Sequence, residues 1–349
     1  MLLQHLCPQT LTACVLKRGT SKIVLKRKTV QPFHRTGLFV KAALNPPAGT
    51  MAARSLEGFL DRVEECNRME EPRSEFVPFV VAGCTVGYLS SSFARELERF
   101  QEVFVLVKSD SDQVAMGLCE ALATPEERTA AVAVAMDILR QEGVISGWRN
   151  ELYPVMDRFG DEPAFLVERA AAASFGVKTY GVHVNGYVEL SDGSVELWVA
   201  RRSKQKPTWP GKLDHIAAGG QPYGISPQDN VTKECEEEAS IPPNLAKRAQ
   251  PVGVVSYEYS TAAHLKRDVL FCYDLKLPQD FTPSPSDGEV ESFMRMPLEN
   301  VAEIISTSQD FKTNCNLVII DFMIRHGYIS PEQPRYLQLV KALRNGDWS

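Results

Sequence analysis

The chain has 349 residues, 44% hydrophobic and 23% charged, which are values typical of globular proteins, and its length favours two domains over one. The formal net charge of −6 is unevenly distributed. Residues 1–56 hold nine Lys or Arg and no acid, which leaves 29 basic against 44 acidic residues, a net charge of −15, in the rest of the chain. Because so acidic a body repels nucleic-acid backbones and no local basic patch offsets it, no nucleic-acid partner is expected.

The N-terminal segment, residues 1–50, is predicted to be a disordered transit peptide. It carries the basic clusters Lys17-Arg18 and Lys26-Arg27-Lys28 among scattered Ser and Thr, without an acid. A secretory signal would need a longer apolar core, and no run approaches the ~18 apolar residues of a membrane helix, so no membrane partner is expected. The alternative interpretation is a disordered basic leader that carries no targeting signal.

The eight cysteines indicate neither a zinc site nor a disulfide framework. None forms a C-x-x-C pair, and none has a His at metal-binding spacing. A reducing compartment is the default expectation.

Residues 55–176 are predicted to form a smaller α+β domain. Apolar spacing predicts helices over 56–67, 92–100, 124–142 and 163–175, and β-forming residues over 76–89, broken at Gly83, predict strand segments. The segment 147–155 combines aromatic and polar residues, so it forms either a stacking pocket or an ordinary packed loop.

Residues 177–320 are predicted to form a second domain, followed by an amphipathic helical tail over 321–349. Two alternating strands, 177–190 and 194–203, are joined by the hairpin signal Ser191-Asp192-Gly193. Further strands are predicted over 212–217, 251–259, 268–277 and 290–296, and helices over 298–305 and 314–326. A mixed sheet between helices is the expected architecture.

The most informative stretch of the chain, which we call the box, is residues 219–241. Its first half holds three Gly and two Pro, so the backbone is expected to turn sharply and can approach a ligand closely. A helix is predicted to begin after a cap at Asp229 or Asn230 and to end before Pro242.

The box helix places three carboxylates on one face, because Glu234, Glu237 and Glu238 follow the i, i+3, i+4 spacing. Three like charges so close repel one another unless a cation lies among them. A hard divalent cation such as Mg²⁺ or Mn²⁺ takes oxygen ligands of this kind. A solvated acidic helix face is the alternative.

The box resembles the Nudix box, whose pattern is G-x5-E-x7-R-E-U-x-E-E-x-G-U, where U is apolar. Three positions depart from it, because Ile225, Lys233 and Ser240 stand where the pattern has Glu, Arg and Gly. The resemblance implies a Nudix α/β/α sandwich with a mixed sheet, preceded by the smaller α+β domain. The positions that match the pattern are Gly219, Glu234, Cys235, Glu237, Glu238 and Ile241.

The same resemblance implies a Mg²⁺- or Mn²⁺-dependent hydrolase that cleaves a diphosphate linkage in nucleoside diphosphate derivatives by water attack at phosphorus. Glu234, Glu237 and Glu238 would hold the metal. An acid at the place of Glu289 often reaches the metal site in this family, although an exposed turn carboxylate is the alternative. Glu237, Glu238 or Glu289 would orient or deprotonate the water, and His215 is a weaker candidate base.

The substrate-binding residues are expected to lie in the box loop and upstream of it. Backbone N–H groups of the loop over residues 219–224, which begins with Gly219 and Gly220, would offset charge on the phosphates together with Lys212 or Arg201. A heteroaromatic ring of the substrate would stack on aromatic residues of the upstream domain and its junction. These aromatic residues are Trp148, Tyr153 and Tyr180.

The upstream sequences 87–100 and 147–155 are similar to the N-terminal domain of plant chloroplast Nudix hydrolases of the thiamine-pyrophosphokinase-related branch. This similarity implies a plastid location and extends the expected substrates to damaged forms of thiamine diphosphate. Two other classes remain open at this stage: a Nudix-fold module that binds diphosphates without turnover, and a transferase or isomerase that uses the same kind of site.

Overall fold

The structure, a computed structural model, describes residues 55–109 and 113–347. The predicted transit peptide lies outside these residues. Across the described part of the chain, each helix is too short or too polar to cross a membrane. We call residues 55–176 the upstream region and residues 177–347 the downstream region.

The upstream region is an α+β unit built on a small sheet with the strand order β2-β1-β4-β3. Its core gathers large aromatic side chains, among them the fully buried Phe79, Phe165 and Phe175. Its elements are α1 (Glu57–Cys66), β1 (Val77–Val81), β2 (Cys84–Leu89), α2 (Ser91–Leu97), β3 (Phe104–Lys108), β4 (Val114–Leu118), α3 (Pro125–Gln141), β5 (Leu152–Val155), β6 (Phe165–Glu168) and α4 (Arg169–Phe175).

One predicted helix of this region is wrong in its first half. Residues 165–168 form β6, which pairs antiparallel with β5, and helix α4 begins only at Arg169. The alanines of α4 favour a helix, whereas Phe165-Leu166-Val167 are β-formers for which a pairing partner is available. Pairing with β5 therefore determines the secondary structure of residues 165–168. It also places Arg169 at the end of the two-stranded ribbon formed by β5 and β6.

The downstream region contains the larger sheet, with the strand order β11-β12-β7-β8-β13, and with β10 paired to β7 and β9 to β8. β12 and β7 are parallel and the other pairs are antiparallel, which confirms the predicted mixed sheet. The elements are β7 (Lys178–Glu189), β8 (Val195–Arg202), β9 (Leu213–Asp214), β10 (Ala217–Gly220), α5 (Pro227–Ala239), α6 (Pro243–Ala246), β11 (Gln250–Ser260), β12 (Leu265–Lys276), β13 (Val290–Pro297), α7 (Leu298–Thr307), α8 (Thr313–Arg325) and α9 (Tyr336–Ala342).

Helices cover this sheet on both faces, so the expected α/β/α sandwich is confirmed. One core packs α7, α8 and α9 against the sheet, and the other packs the apolar stripe of the box helix, Val231, Cys235 and Ala239. That packing fixes the rotation of α5 about its axis and leaves the acidic face of the helix at the edge of the sheet.

Helix α1 belongs to the upstream region by sequence but packs into the downstream core. Phe59, Leu60 and Val63 are buried with residues of α7 and α8. Gly58 lies so close to α7 that a Cβ atom there would be 2.1 Å from the carbonyl oxygen of Ser306. The two regions therefore share part of one hydrophobic core.

The start of the box helix differs from the prediction. Helix α5 begins at Pro227, and the Ser226 hydroxyl accepts a hydrogen bond from the Asp229 N–H as its N-cap. Proline is tolerated at the first helical position because the N–H that it lacks would have no helical partner there. Asn230, predicted as a possible cap, instead donates to the carbonyl oxygen of Gly220 at 2.8 Å and so ties the loop to the helix.

Candidate active site

A cavity of about 700 Å³ lies where the box meets the upstream region. The box contributes β10 and the acidic face of α5, and the end of β8 and the loop before β13 add charged side chains. The upstream region closes the opposite side with Tyr153 and Arg169. Both regions are thus needed to form the cavity wall.

The first two box carboxylates share one cation. Lys233 Nζ lies 3.1 Å from a Glu234 carboxylate oxygen and 2.8 Å from a Glu237 carboxylate oxygen. The lysine ammonium is a compact charge with three rotatable donors, so it can bridge two carboxylates. The guanidinium of arginine is a rigid planar fork that matches the two oxygens of one carboxylate. The departure from the Nudix pattern at this position therefore still leaves Glu234 with a cationic partner.

Glu238 is the most buried carboxylate of the box and lies beside two acids of another loop. One of its oxygens accepts a hydrogen bond from the Ala218 N–H at 3.0 Å. Burial raises the pKa of this carboxyl well above its usual range. A carboxylate oxygen from each of Glu238, Asp287 and Glu289 lies within 4.8 Å of the others, and Lys206 pairs with Glu289 at 2.5 Å.

This donor set fits a hard divalent cation. The groups that converge are carboxylates, which are the ligands that Mg²⁺ and Mn²⁺ prefer. The buried Glu238 keeps one oxygen on the Ala218 N–H and has the other for a ligand. Lys206 pairs with Glu289, and Lys233 pairs with Glu234 and Glu237, so cations already accompany part of this carboxylate set.

Two box glycines that were predicted to lie in a loop form the end of strand β10 and allow this arrangement. A Cβ atom on Gly219 would lie 2.2 Å from the carboxyl carbon of Glu234, and one on Gly220 would lie 1.7 Å from the Tyr153 hydroxyl. Each glycine therefore leaves room for one specific side chain. Gly219 admits a box carboxylate, whereas Gly220 admits a residue of the upstream region.

The cations predicted to face the phosphates lie elsewhere. Arg201 donates to the carbonyl oxygen of Gly211 at 3.0 Å, and Lys212 donates to that of Gln309 at 2.5 Å. Neither residue lines the cavity in the described part of the chain; Arg202 and Lys312 do. Side chains alternate across a strand, so the neighbour of Arg201 points to the other face of the sheet.

Among the predicted aromatic residues, Tyr153 and Tyr180 line the cavity and Trp148 does not. The Trp148 indole N–H donates to the Asn150 side chain at 2.9 Å, and Arg140 lies 4.6 Å from the ring centroid. Trp148 lines a separate pocket of about 280 Å³ on the upstream region. Its side chain therefore cannot stack on a substrate held in the larger cavity.

His215, the weaker candidate base, is buried behind the cavity. Its Nδ1 atom lies 3.1 Å from His183 Nδ1, and burial lowers its pKa to about 4. Of the two histidines, His183 lines the cavity and His215 does not. The pair adjoins Asp214, which is held by Arg202 at 2.7 Å.

The site residues that the sequence analysis missed include Asp287, Lys312 and Arg169. Asp287 could have been found, since it stands two residues before Glu289 in the same turn. Lys312 and Arg169 carry no local signal, because they reach the cavity only through contacts between distant parts of the chain.

Comparison with known proteins agrees with this architecture. Residues 179–314 match the NUDIX domain, and residues 58–179 match a domain of unknown function, DUF4743. The chain is 51% identical to Nudix hydrolase 24, chloroplastic, of Arabidopsis thaliana over 294 residues, which cover 84% of this chain and 80% of the relative. It is 50% identical to Nudix hydrolase 20, chloroplastic, of the same plant, covering 84% and 79%.

A yeast relative extends the similarity beyond plants. The uncharacterized protein YJR142W of Saccharomyces cerevisiae is 44% identical over 215 residues, which cover 57% of this chain and 61% of that protein. The similarity to the plant proteins spans both regions, as does the cavity. The chain therefore belongs to the Nudix hydrolases, enzymes that cleave pyrophosphate bonds in small molecules and generally use divalent metal cations.

Proposed function

We propose that the cavity carries out the Mg²⁺- or Mn²⁺-dependent hydrolysis of a diphosphate linkage in a small molecule with a heteroaromatic group. The observation that carries the proposal is the convergence of Glu238, Asp287 and Glu289 beside the Glu234–Lys233–Glu237 cluster. These carboxylates face a cavity that also contains cations and tyrosines. One end therefore suits a metal and phosphates, and the other suits a ring.

Glu234, Glu237 and Glu238 would hold the metal, and Asp287 would add a ligand beside Glu238. A bound cation would offset charge on the phosphate oxygens and lower the pKa of a coordinated water. Glu237, Glu238 or Glu289 accepts the proton of the attacking water. Lys206, which pairs with Glu289, keeps that carboxylate directed toward the cluster.

Substrate phosphates meet positive charge at the same end of the cavity. Lys312 lies 3.3 Å from Asp214 and lines the cavity close to the buried Glu238. Arg202 forms an ion pair with the same aspartate and donates hydrogen bonds to the carbonyl oxygens of Thr208 and Trp209. Arg202 thereby orients Asp214, and Asp214 in turn holds the Lys312 ammonium in place.

The other end of the cavity suits a flat ring. The rings of Tyr257 and Tyr259 are nearly parallel, with an interplanar angle of 8° and centroids 6.3 Å apart, and Tyr180 also lines the cavity. Ring stacking adds about 0.5 to 1.5 kcal/mol beyond the burial of area. Nucleoside diphosphate derivatives and damaged thiamine diphosphate both combine a diphosphate with a heteroaromatic ring, and we propose them as the substrate classes.

A glutamine scan of the box helix tests the proposal. Glu238→Gln or Glu237→Gln should lower kcat at least ~10²-fold, because each removes a metal-binding charge. Glu236→Gln is the matched control, since Glu236 is exposed on the same helix and does not line the cavity. Phosphate release is measured on a panel of diphosphates with Mg²⁺ or Mn²⁺. Full turnover by folded Glu238→Gln protein would contradict the assignment.

We also propose that the protein acts in a plastid. The relatives named chloroplastic and the acid-free basic leader support this location. A fluorescent fusion of residues 1–60 should enter the organelle and lose a leader of about 40 to 55 residues. Diffuse cytosolic fluorescence would count against the proposal.

A further inference from the structure

Arg169 stands where the upstream region meets the cavity. It is the first residue of α4 and follows β6 directly, and its backbone N–H donates to the carbonyl oxygen of Glu151 at 2.8 Å. The β5–β6 ribbon and this hydrogen bond fix its Cα position. The side chain then projects from the end of the β5–β6 ribbon into the cavity.

The guanidinium of Arg169 is oriented from two sides. Nη1 donates to the Glu151 carboxylate at 2.7 Å, and the guanidinium carbon lies 5.5 Å from the centroid of the Tyr153 ring. It also lies 3.4 Å from where a Cβ on Gly220 would be, so the group is adjacent to the box loop. Glu151 and Tyr153 thus hold the guanidinium against the loop.

Most of the hydrogen-bonding capacity of Arg169 remains available. Arginine has five N–H donors, and within the described residues the Arg169 side chain donates only to Glu151. Arg202, by contrast, uses all three of its nitrogens on protein oxygens. The lysines of the acidic end, Lys206 and Lys233, are engaged by glutamates.

Arg169 interacts electrostatically with both acidic and basic residues that line the cavity. Its charge acts on Glu234 and Glu289 at the acidic end and on Lys266 at the tyrosine end. Its side chain is 43% exposed although it lies in a concave site. If the metal lies at the carboxylates and the ring of the substrate lies against the tyrosines, the diphosphate between them would pass close to Arg169.

We propose that the upstream region binds a phosphoryl group of the substrate through Arg169, and that this is its contribution to the reaction. The planar fork of arginine matches two phosphate oxygens, and it approaches from the side opposite the box carboxylates. The diphosphate is thereby held between the metal site of one region and the guanidinium of the other. This inference rests on the proposed function, because it assumes a diphosphate in this cavity.

The test uses the full-length protein and the magnesium complex of imidodiphosphate, a diphosphate with a nitrogen bridge, as the probe in titration calorimetry. Arg169→Ala should weaken probe binding by about tenfold to a hundredfold, which is the range of a charge-assisted hydrogen bond. Arg169→Lys should lie in between, since it keeps the charge and loses the fork. Arg95→Ala, on the exposed side of α2 away from the cavity, should bind as the wild type.

Glu151→Gln distinguishes two roles of Arg169: binding of a phosphate anion, and a purely structural ion pair with Glu151. If Arg169 only held the region together, Glu151→Gln would weaken probe binding as much as Arg169→Ala. If Arg169 binds phosphate, Glu151→Gln should have an effect of less than about threefold, because the guanidinium keeps its charge. Equal effects of the two substitutions, or wild-type affinity of Arg169→Ala, would overturn the inference.

Mn²⁺ binding distinguishes this inference from the proposed function. Arg169→Ala should bind Mn²⁺ as the wild type does, since its effect falls on the anion. A wild-type protein that binds neither Mn²⁺ nor the probe would refute the proposed function, and the inference with it. If Arg169→Ala does not fold, as judged by circular dichroism, the Arg169→Lys comparison decides, and unchanged probe affinity there would refute the phosphate fork.

Discussion

The two walls of the cavity are encoded in different ways. The acidic wall comes mainly from a single helix, where Glu234, Glu237 and Glu238 lie within five residues and their spacing is visible in the sequence. The opposite wall comes from Tyr153 and Arg169 of the upstream region, which reach the box only through tertiary contacts. Three of the four carboxylates proposed to bind the metal are therefore local in the chain, whereas the groups proposed to position a substrate are not.

The largest effect should come from breaking the shared core. Phe59 of α1 is fully buried against the downstream helices, so Phe59→Ala should cost about 3 to 5 kcal/mol of unfolding free energy. Urea unfolding measures this loss. The matched control is Asp61→Ala on the exposed side of α1, which should change stability by less than ~0.5 kcal/mol.

This result bears directly on whether the regions are separable. A fragment that begins at residue 177 lacks α1 and would expose the apolar surface that Phe59, Leu60 and Val63 cover. We expect it to be unstable by itself. A loss below about 1 kcal/mol for Phe59→Ala would show instead that α1 is peripheral to the downstream core.

The fold was predictable where local patterns and tertiary contacts agree. The hairpin at Ser191-Asp192-Gly193 and the closing helices over 298–305 and 314–326 follow alternation and helical spacing, and the structure has them. The helix predicted over 163–175 was wrong in its first half, because residues 165–168 pair with β5 and form strand β6. Sequence periodicity cannot show that a pairing partner is available. The strand expected over 212–217 is divided between β9 and β10 because each pairs with a different strand.

The next largest effect is expected from alanine substitution of the adjacent residues Gly219 and Gly220. Gly219 lies against Glu234 of the acidic wall, and Gly220 lies against Tyr153 of the opposite wall. Gly219→Ala would push away the Glu234 carboxylate, the flexible end of its side chain, so we expect weaker Mn²⁺ binding and a kcat about tenfold to a hundredfold lower, with the fold retained. Gly220→Ala would meet the buried Tyr153, so we expect a loss of about 1 to 3 kcal/mol in stability and unchanged Mn²⁺ affinity.

Metal titration and urea unfolding of both glycine variants complete this comparison. Each variant serves as the control for the other, because the added methyl group is the same and the positions are adjacent. Identical losses of Mn²⁺ affinity in the two variants would contradict the separate roles of the walls.

The site was predictable to the extent that its residues share one element. The three glutamates of α5 follow from helical geometry and the structure brings them to the cavity. Arg201 and Lys212 were expected to face the phosphates, but strand alternation directs Arg202 inward, and Lys312 reaches the cavity from the N-cap of α8. Proximity in sequence does not predict which side chains face a cavity at the edge of a sheet.

The smallest effect is expected at Trp148, and it separates aromatic residues inside the cavity from those outside it. Trp148 is held by Asn150 and Arg140 in a separate pocket, so Trp148→Ala should change KM by less than about twofold. Tyr259 lines the main cavity, so Tyr259→Ala should raise KM by about twofold to tenfold through the loss of stacking. Steady-state kinetics with a heteroaromatic diphosphate measures both. If Trp148→Ala raises KM more than Tyr259→Ala does, the ring of the substrate lies on the upstream region, and the tyrosine end of the cavity has another role.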